Sequence, residues 1–314
     1  MSERILVVGG QGALGNAVIE LASARARPVR ALVRNPRAGF FPESVDLVRG
    51  DVGDTAGVVQ ALRGCSALVF CVNVPITTWA ERMPRLLASA IAACEQTGAR
   101  LIFPGNVWIY GPGPKGVLID EQRPATPTSL KGRLRVQLES QLRGYARHAI
   151  VRLPEFFGPN VANALMGTPF STVLKGESPR WLGGNLDVVV EYVFIRDAAH
   201  AMLAVADSGL EGVTFHVAGS GHTTPRAFLG EVLKSAGVEG RVRALPNWLL
   251  RTAGLVHPEA RAFSDILHLW REPVLLDGSK YVAQFAPPAS VPYADAIAET
   301  LAWFRAHPDA RNAN

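Results

Sequence analysis

Cysteine is scarce: Cys65, Cys71 and Cys94 are all the sequence carries, and no two of them form a C-x-x-C pair. That excludes a disulfide framework and points to reduced thiols in apolar surroundings, the pattern of a cytosolic protein. Charge is sparse too, at 19% of 314 residues. The basic residues, almost all arginine, run from Arg4 to Arg311 without a block. The net charge of +5 therefore has no patch behind it. With no basic cluster interleaved with aromatics, nucleic acid is not an expected partner, and the mild excess suits anionic small molecules. No apolar stretch reaches the roughly 18 residues of a membrane span, and Met1 to Arg4 leads straight into a strand pattern without a leader-like segment, so neither membrane insertion nor export is expected. The seven histidines, among them His216, His222, His257 and His268, show no H-E-x-x-H or paired spacing, which argues against a metal site. A G-x-S-x-G elbow and a reactive-cysteine signature are both absent, and hydrolysis through a nucleophile is disfavoured accordingly.

What the chain does have is length enough for a sizeable core with a smaller second lobe, and a repeated alternation of short apolar runs with helical spacings. Ile5-Leu6-Val7-Val8 ends at two glycines, and Ala13 to Ala24 follows with Leu14, Val18 and Leu21 on one helical face. Val29 to Val33, Val45 to Val48, Ala67 to Val72, Leu101 to Phe103 and His148 to Leu153 read as further strands, with helices over 55–62, 79–97 and 129–146 between them. Runs apolar on both faces belong in a parallel sheet covered by helices. The expected fold is α/β, a Rossmann-type doubly wound parallel sheet with a smaller, discontinuous C-terminal substrate-binding lobe. Residues 1–158 and 190–221 make the dinucleotide-binding core in this reading, and 159–189 and 222–314 the lobe. Val188 to Ile195 and Phe215 to Ala218 read as late strands, a helix starts near Asp197, and helical stretches are expected over 225–236, 259–270 and 293–305.

Gly9-Gly10-Gln11-Gly12-Ala13-Leu14-Gly15 stands between the first strand and the first helix. The glycines allow a tight turn, close approach of a pyrophosphate to N–H groups at a helix N-terminus, and close packing of helix on sheet. The strand before and the helix after make this a dinucleotide loop. At the end of the second strand, where an acid would serve NAD, the chain has Val33-Arg34-Asn35. A guanidinium there can hold a 2′-phosphate, so NADP(H) is the expected cofactor, with Asp51-Val52 beside the adenine and Val72 at the end of the fourth strand. The plain alternative for Arg34 is a solvated loop arginine.

The glycine loop, Asp51-Val52, Ile109-Tyr110-Gly111, Arg152-Leu153-Pro154 with Phe157-Gly158-Pro159, and Ile195-Arg196-Asp197-Ala198-Ala199-His200-Ala201 together resemble the extended short-chain dehydrogenase/reductase family, labelled NAD-dependent epimerase/dehydratase. The resemblance covers almost the whole chain and implies a nicotinamide enzyme. It also implies a Ser or Thr four residues before the Tyr-Gly and a downstream Y-x-x-x-K pair. Asn106 occupies the Ser/Thr place, Lys131 the tyrosine place and Arg135 the lysine place, so the usual tyrosine is absent. The family's sugar-nucleotide members carry a diphosphate-binding arginine where this chain has Val190.

Lys131 and Arg135 are four apart on one helical face, and a guanidinium beside a desolvated ammonium lowers the lysine pKa toward a useful range. Lys131 could then donate a proton and also touch the cofactor, Asn106 could hold a substrate oxygen through its amide, and Tyr110 is a second proton donor. The plain alternative makes Lys131, Arg135 and Glu139 a charged stripe facing solvent. Phe156, Phe157, Phe170, Trp181, Trp248, Phe263 and Trp270 suit an apolar or aromatic ligand, or simply a core. Asp277-Gly278-Ser279-Lys280 reads as a tight turn before a helix, with Lys280 near a substrate as the lesser reading.

Three functions remain open at this point. The first is an NADP(H)-dependent oxidoreductase acting on a small carbonyl or alcohol. The second is an epimerase, dehydratase or isomerase with retained cofactor, and the third a non-catalytic NADP(H) sensor. The resemblance also implies a possible homodimer through the long helices.

Overall fold

The computed structural model describes residues 3–162, 166–245, 252, 264–285 and 290–310. Ile5 to Val8 are buried on both faces because the strand they form, β1 (Arg4–Val8), lies at the centre of the sheet between β2 (Val29–Val33) and β4 (Cys65–Phe70). Beyond these lie β3 (Asp46–Arg49) on one side and β5 (Arg100–Asn106), β7 (His148–Leu153) and β11 (Val213–His216) on the other. All adjacent pairs in this seven-stranded sheet are parallel, in the order β11-β7-β5-β4-β1-β2-β3. The order reverses direction between β1 and β4, and such a switch point opens a crevice at the carboxyl ends of the strands.

Helices cover both faces, as parallel strands require. On one side α1 (Ala13–Ala24) packs with α6 (Ile195–Asp207). On the other, α2 (Thr55–Leu62) lies against α3 (Trp79–Thr97), and α3 against α4 (Leu130–Arg143). Ser129 caps α4 by accepting from the Gly132 N–H at 2.9 Å, and Gly98 ends α3 in the left-handed region at φ +72°, a conformation glycine adopts without steric cost. Burial pushes the Cys71 and Cys94 thiols up to about 12, so both are inert core groups.

The remaining elements cluster beyond the carboxyl edge. A three-stranded sheet joins β8 (Glu155–Phe157), β10 (Val190–Phe194) and β12 (His222–Thr223). Two-residue pairs link β6 (Leu118–Ile119) with β14 (Leu275–Leu276), and β9 (Arg180–Trp181) with β13 (Arg243–Ala244). The helices here are α5 (Gly167–Val173), α7 (Pro225–Ala236), α8 (His268–Arg271), α9 (Ser279–Phe285) and α10 (Tyr293–Ala306). Phe157 is at the centre of their aromatic core, 5.0 Å from Phe228, 6.0 Å from Tyr293 and 6.3 Å from Phe170, while Phe170 stacks at 6.0 Å on Phe304. Phe157 and Phe170 are therefore packing residues, the core reading of the two that their composition left open. Trp181 and Trp270 pack on each other at 5.6 Å, equally buried. Trp248, His257, Phe263 and residues 259–263 of the helix expected over 259–270 lie outside the described residues; in the described remainder, residues 265–267 form a turn and α8 begins only at His268.

Candidate active site

The glycine loop closes on itself through Gly12 N–H to Gly9 O at 3.0 Å. Gly9 has φ +78°, and a Cβ there would run into the Cys71 carbonyl of the neighbouring strand end. A Cβ on Gly15 would lie 2.9 Å from the Gly10 Cα and closer still to the Gly9 carbonyl, so only glycine lets α1 start this near the turn. No side chain caps α1, and its first N–H groups carry the positive end of the helix dipole toward the crevice. The Gln11 side-chain nitrogen is shut from water with no hydrogen-bond partner. An uncapped helix start beside an orphaned donor fits an anionic pyrophosphate, and the residues present accommodate a dinucleotide.

Arg34 at the end of β2 is well exposed, and its Nε lies 4.0 Å from Asp51 Oδ2. Asp51 Oδ1 accepts the Gly53 N–H at 2.8 Å, which fixes the carboxylate at the end of β3. Val52 is buried and Val72 partly so at the neighbouring strand ends.

Across the switch point, Asn106 ends β5 and is paired in register with Leu153 of β7. Its Oδ1 accepts the Trp108 N–H at 3.2 Å, capping the short 3-10 turn over residues 107–109. Arg135 of α4 donates from Nη1 to Pro104 O at 3.3 Å and lies 4.8 Å over the Trp79 ring. Burial holds its guanidinium down to about 10, and its Nε has no partner. The Lys131 side chain is only 11% exposed, with Nζ 4.0 Å from Asp265 Oδ2. The same carboxylate accepts the N–H groups of Leu130 and Lys131, both at 3.2 Å, and so caps the first turn of α4. Asp265 stands 134 residues away in sequence from Lys131, and nothing in the local pattern marked it.

These positions correct three expectations. Lys131 does titrate below its ordinary value, as expected of a desolvated ammonium, but burial alone lowers it, opposed by Asp265, and the corrected part is the role given to Arg135. The solvent-facing stripe does not exist either: Glu139 is 1% exposed and grips Arg152, with Oε2 at 2.6 Å from Nη2 and Oε1 at 3.2 Å from Nε. Tyr110 is likewise 1% exposed, its hydroxyl 2.8 Å from His216 Nε2 and 2.7 Å from Arg152 Nη1. His216 Nδ1 faces the Ile119 carbonyl at 3.0 Å, so that nitrogen carries the proton and Nε2 accepts. Burial pushes the Tyr110 phenol up to about 12. A hydroxyl committed to this network cannot hand a proton to a ligand in the crevice.

Glu155 was missed by sequence reasoning. It opens β8, accepts a hydrogen bond from the Trp108 side chain, and is pushed up to about 7 by burial, opposed by that bond and by Arg135. A carboxylate inside an apolar run just after a strand was the available signal.

The Lys280 ammonium donates to Thr214 O at 2.8 Å and lies 5.1 Å from the Phe215 ring, while Asp277 caps α9 through the Ser279 N–H at 2.9 Å. That stretch is structural. Val190 is buried at the start of β10, paired with Thr223. Among the described residues no helix is long and apolar enough to cross a membrane.

With this geometry in place, the model of the NAD dependent epimerase/dehydratase family matches residues 5–218. The chain belongs to that family. It is 25% identical over 236 residues to a dTDP-4-dehydrorhamnose reductase of Mycobacterium tuberculosis, covering 70% of this chain and 71% of that one. A stretch of 80 residues is 34% identical to the chloroplastic protein High Chlorophyll Fluorescence Phenotype 173 of Arabidopsis thaliana, covering 24% of this chain and 13% of that protein. The fold is that of the UDP-glucose 4-epimerase of Thermus thermophilus solved with NAD, with a TM-score of 0.78 at 24% identity, covering 97% of this chain and 99% of that one.

Proposed function

We propose that this member of the family is an NADP(H)-dependent oxidoreductase that moves hydride to or from a small carbonyl or alcohol substrate. The observation that carries the reading is the glycine cradle at the uncapped start of α1, with the unpartnered side-chain nitrogen of its Gln11 and the Arg34 guanidinium at the end of β2. Gly9, Gly10, Gln11, Gly12, Ala13, Leu14 and Gly15 would hold the pyrophosphate, Arg34 the 2′-phosphate, and Asp51 with Val52 the adenine end. Val72 and Lys131 flank the nicotinamide end in this assignment. When bound, the cofactor supplies hydride exchange at its nicotinamide carbon. Asn106 then orients the substrate oxygen, and the deep placement of Arg135 beside it puts fixed positive charge where negative charge develops. Residues 159–189 and 222–314 form the substrate-binding part in this proposal.

Calorimetry with NADP⁺, NADPH, NAD⁺ and NADH tests the reading. Arg34→Glu should weaken NADP(H) by roughly tenfold to a hundredfold, the loss of one charge-assisted contact of about 1.5–3 kcal/mol, and leave NAD(H) nearly unchanged. Equal losses for both would remove the 2′-phosphate assignment. Failure of every dinucleotide to bind would remove the oxidoreductase with it.

The family match favours a second reading, an epimerase or dehydratase that keeps its cofactor through a transient oxidation. That enzyme would be purified with nucleotide bound and would consume no net NADPH, so absorbance of the isolated protein separates the two.

A further inference from the structure

Glu155 stands two residues beyond Leu153, the strand residue paired with Asn106, and is thus at the carboxyl edge beside the oxygen-orienting position. Its carboxylate takes a hydrogen bond from the Trp108 side chain and faces Arg135. Trp108 is stacked on Trp79 at 5.5 Å, and Trp79 carries the Arg135 guanidinium on its face. Four side chains from β8, the turn after β5, α3 and α4 thus converge on one spot. The cluster is not a closed structural ion pair. The Arg135 Nε lacks a partner, Glu155 is partly exposed, and Asn106 beside it is partly exposed as well. The other groups able to move a proton are engaged elsewhere, Tyr110 with His216 and Arg152, and Lys131 against Asp265.

We infer that Glu155 is the residue that gives and regains the proton at the reacting oxygen, with Arg135 holding the carboxylate charge that remains. The inference rests on the hydride-transfer reading above. In the reducing direction the O–H bond of the Glu155 carboxylic acid breaks and a new O–H bond forms on the substrate oxygen. That oxygen has received the carbonyl π pair as carbon takes hydride from the reduced nicotinamide, the reductant. The bonding pair of the broken O–H stays on Glu155 as carboxylate, and water on its exposed side restores the proton. Among the described residues, two titratable or charged groups face Glu155. They are Arg135 from α4, which favours the carboxylate, and the Tyr192 phenol paired with it from β10, which burial keeps neutral.

Two measurements on the full chain test this. In nucleotide-free protein, the indole N–H resonance of Trp108, assigned by its loss in Trp108→Phe, should shift with a midpoint near neutral pH and lose that midpoint in Glu155→Gln. With NADPH and a carbonyl probe, dTDP-4-dehydrorhamnose or 9,10-phenanthrenequinone, wild-type turnover should fall above the same midpoint. Glu155→Gln should lose that limb and about a hundredfold in rate, the usual worth of a positioned acid, while NADPH affinity by calorimetry stays within about twofold. A Trp108 resonance flat across neutral pH overturns the inference, and so does a Gln variant with wild-type rate and pH profile. Failure of the parent reading shows differently, as absence of dinucleotide binding by wild-type protein.

Discussion

Tyr110 shows at the level of one residue how a motif can be right about the fold and misleading about chemistry. Its place after β5 marks the family, yet its hydroxyl is shared between His216 and Arg152 and is closed to the crevice. Tyr110→Phe should therefore leave cofactor affinity and turnover within about twofold and cost about 1–3 kcal/mol of stability, because Arg152 and His216 each lose a buried partner. Urea unfolding and a rate measurement on the same preparation decide it. A rate loss of about a hundredfold with stability intact would return Tyr110 to the reaction. Asn106 and Arg135 were legible as neighbours because the family spacing fixes one on a strand end and the other on the facing helix. Asp265 and Glu155 were not. Asp265 acts across 134 residues of sequence on the start of α4, and the importance of Glu155 comes from the Trp108 indole and the Arg135 guanidinium meeting it in space. No local spacing encodes either contact.

At the scale of elements, the glycine loop and α1 form the part whose geometry tolerates least. A methyl group on Gly15 would press on the Gly9 carbonyl and the Gly10 Cα, all backbone, so neither side can rotate away. Gly15→Ala should push the first turn of α1 off the loop. The expected result is at least a tenfold loss in dinucleotide affinity by calorimetry, with a stability loss of roughly 1–3 kcal/mol, as for overpacking elsewhere. Unchanged affinity would mean that the loop does not hold the pyrophosphate. This element was readable from sequence because strand, glycines and helix each carry a signal and agree. The same holds for α2, α3 and β7, whose bounds the apolar spacing anticipates. The small strands β6, β9, β12, β13 and β14 have two residues each. Two residues hold no period, and these strands exist because distant segments are brought together, which only the folded chain determines. The aromatics left ligand site and core both open for a related reason, since burial against Phe228, Tyr293 and Phe304 is a property of tertiary packing rather than of composition.

For the molecule as a whole, buried carboxylates tie the sheet to the C-terminal elements and set its response to pH. Glu191 of β10 accepts the Gly219 N–H at 2.9 Å and the Leu276 N–H at 3.1 Å, and Asp197 of α6 accepts the Val291 N–H at 3.1 Å. Burial raises Glu191 to about 7 and Asp197 to about 6, against the pull of these hydrogen bonds. An acid whose folded pKa lies above its unfolded one holds a proton that the unfolded chain has already released. Its contribution to stability is therefore lost as pH rises from the ordinary carboxylate range through the folded pKa, and is constant above it. His200, His216 and His268 run the other way, because burial lowers them and acidification must charge them. Net stability mixes both signs, so the clean quantity is the difference between wild type and Glu191→Gln, in which only the carboxylate titration is removed. At pH 5 the Gln variant should be the less stable, since its amide has one acceptor oxygen for two backbone donors. As pH rises to 8 that gap should close or reverse by on the order of 3 kcal/mol, the linkage value of a shift from 4.5 to about 7. Urea unfolding at pH 5, 6, 7 and 8 measures it. A gap independent of pH would mean that Glu191 is ionised throughout, and that its two backbone hydrogen bonds outweigh the cost of burying the charge.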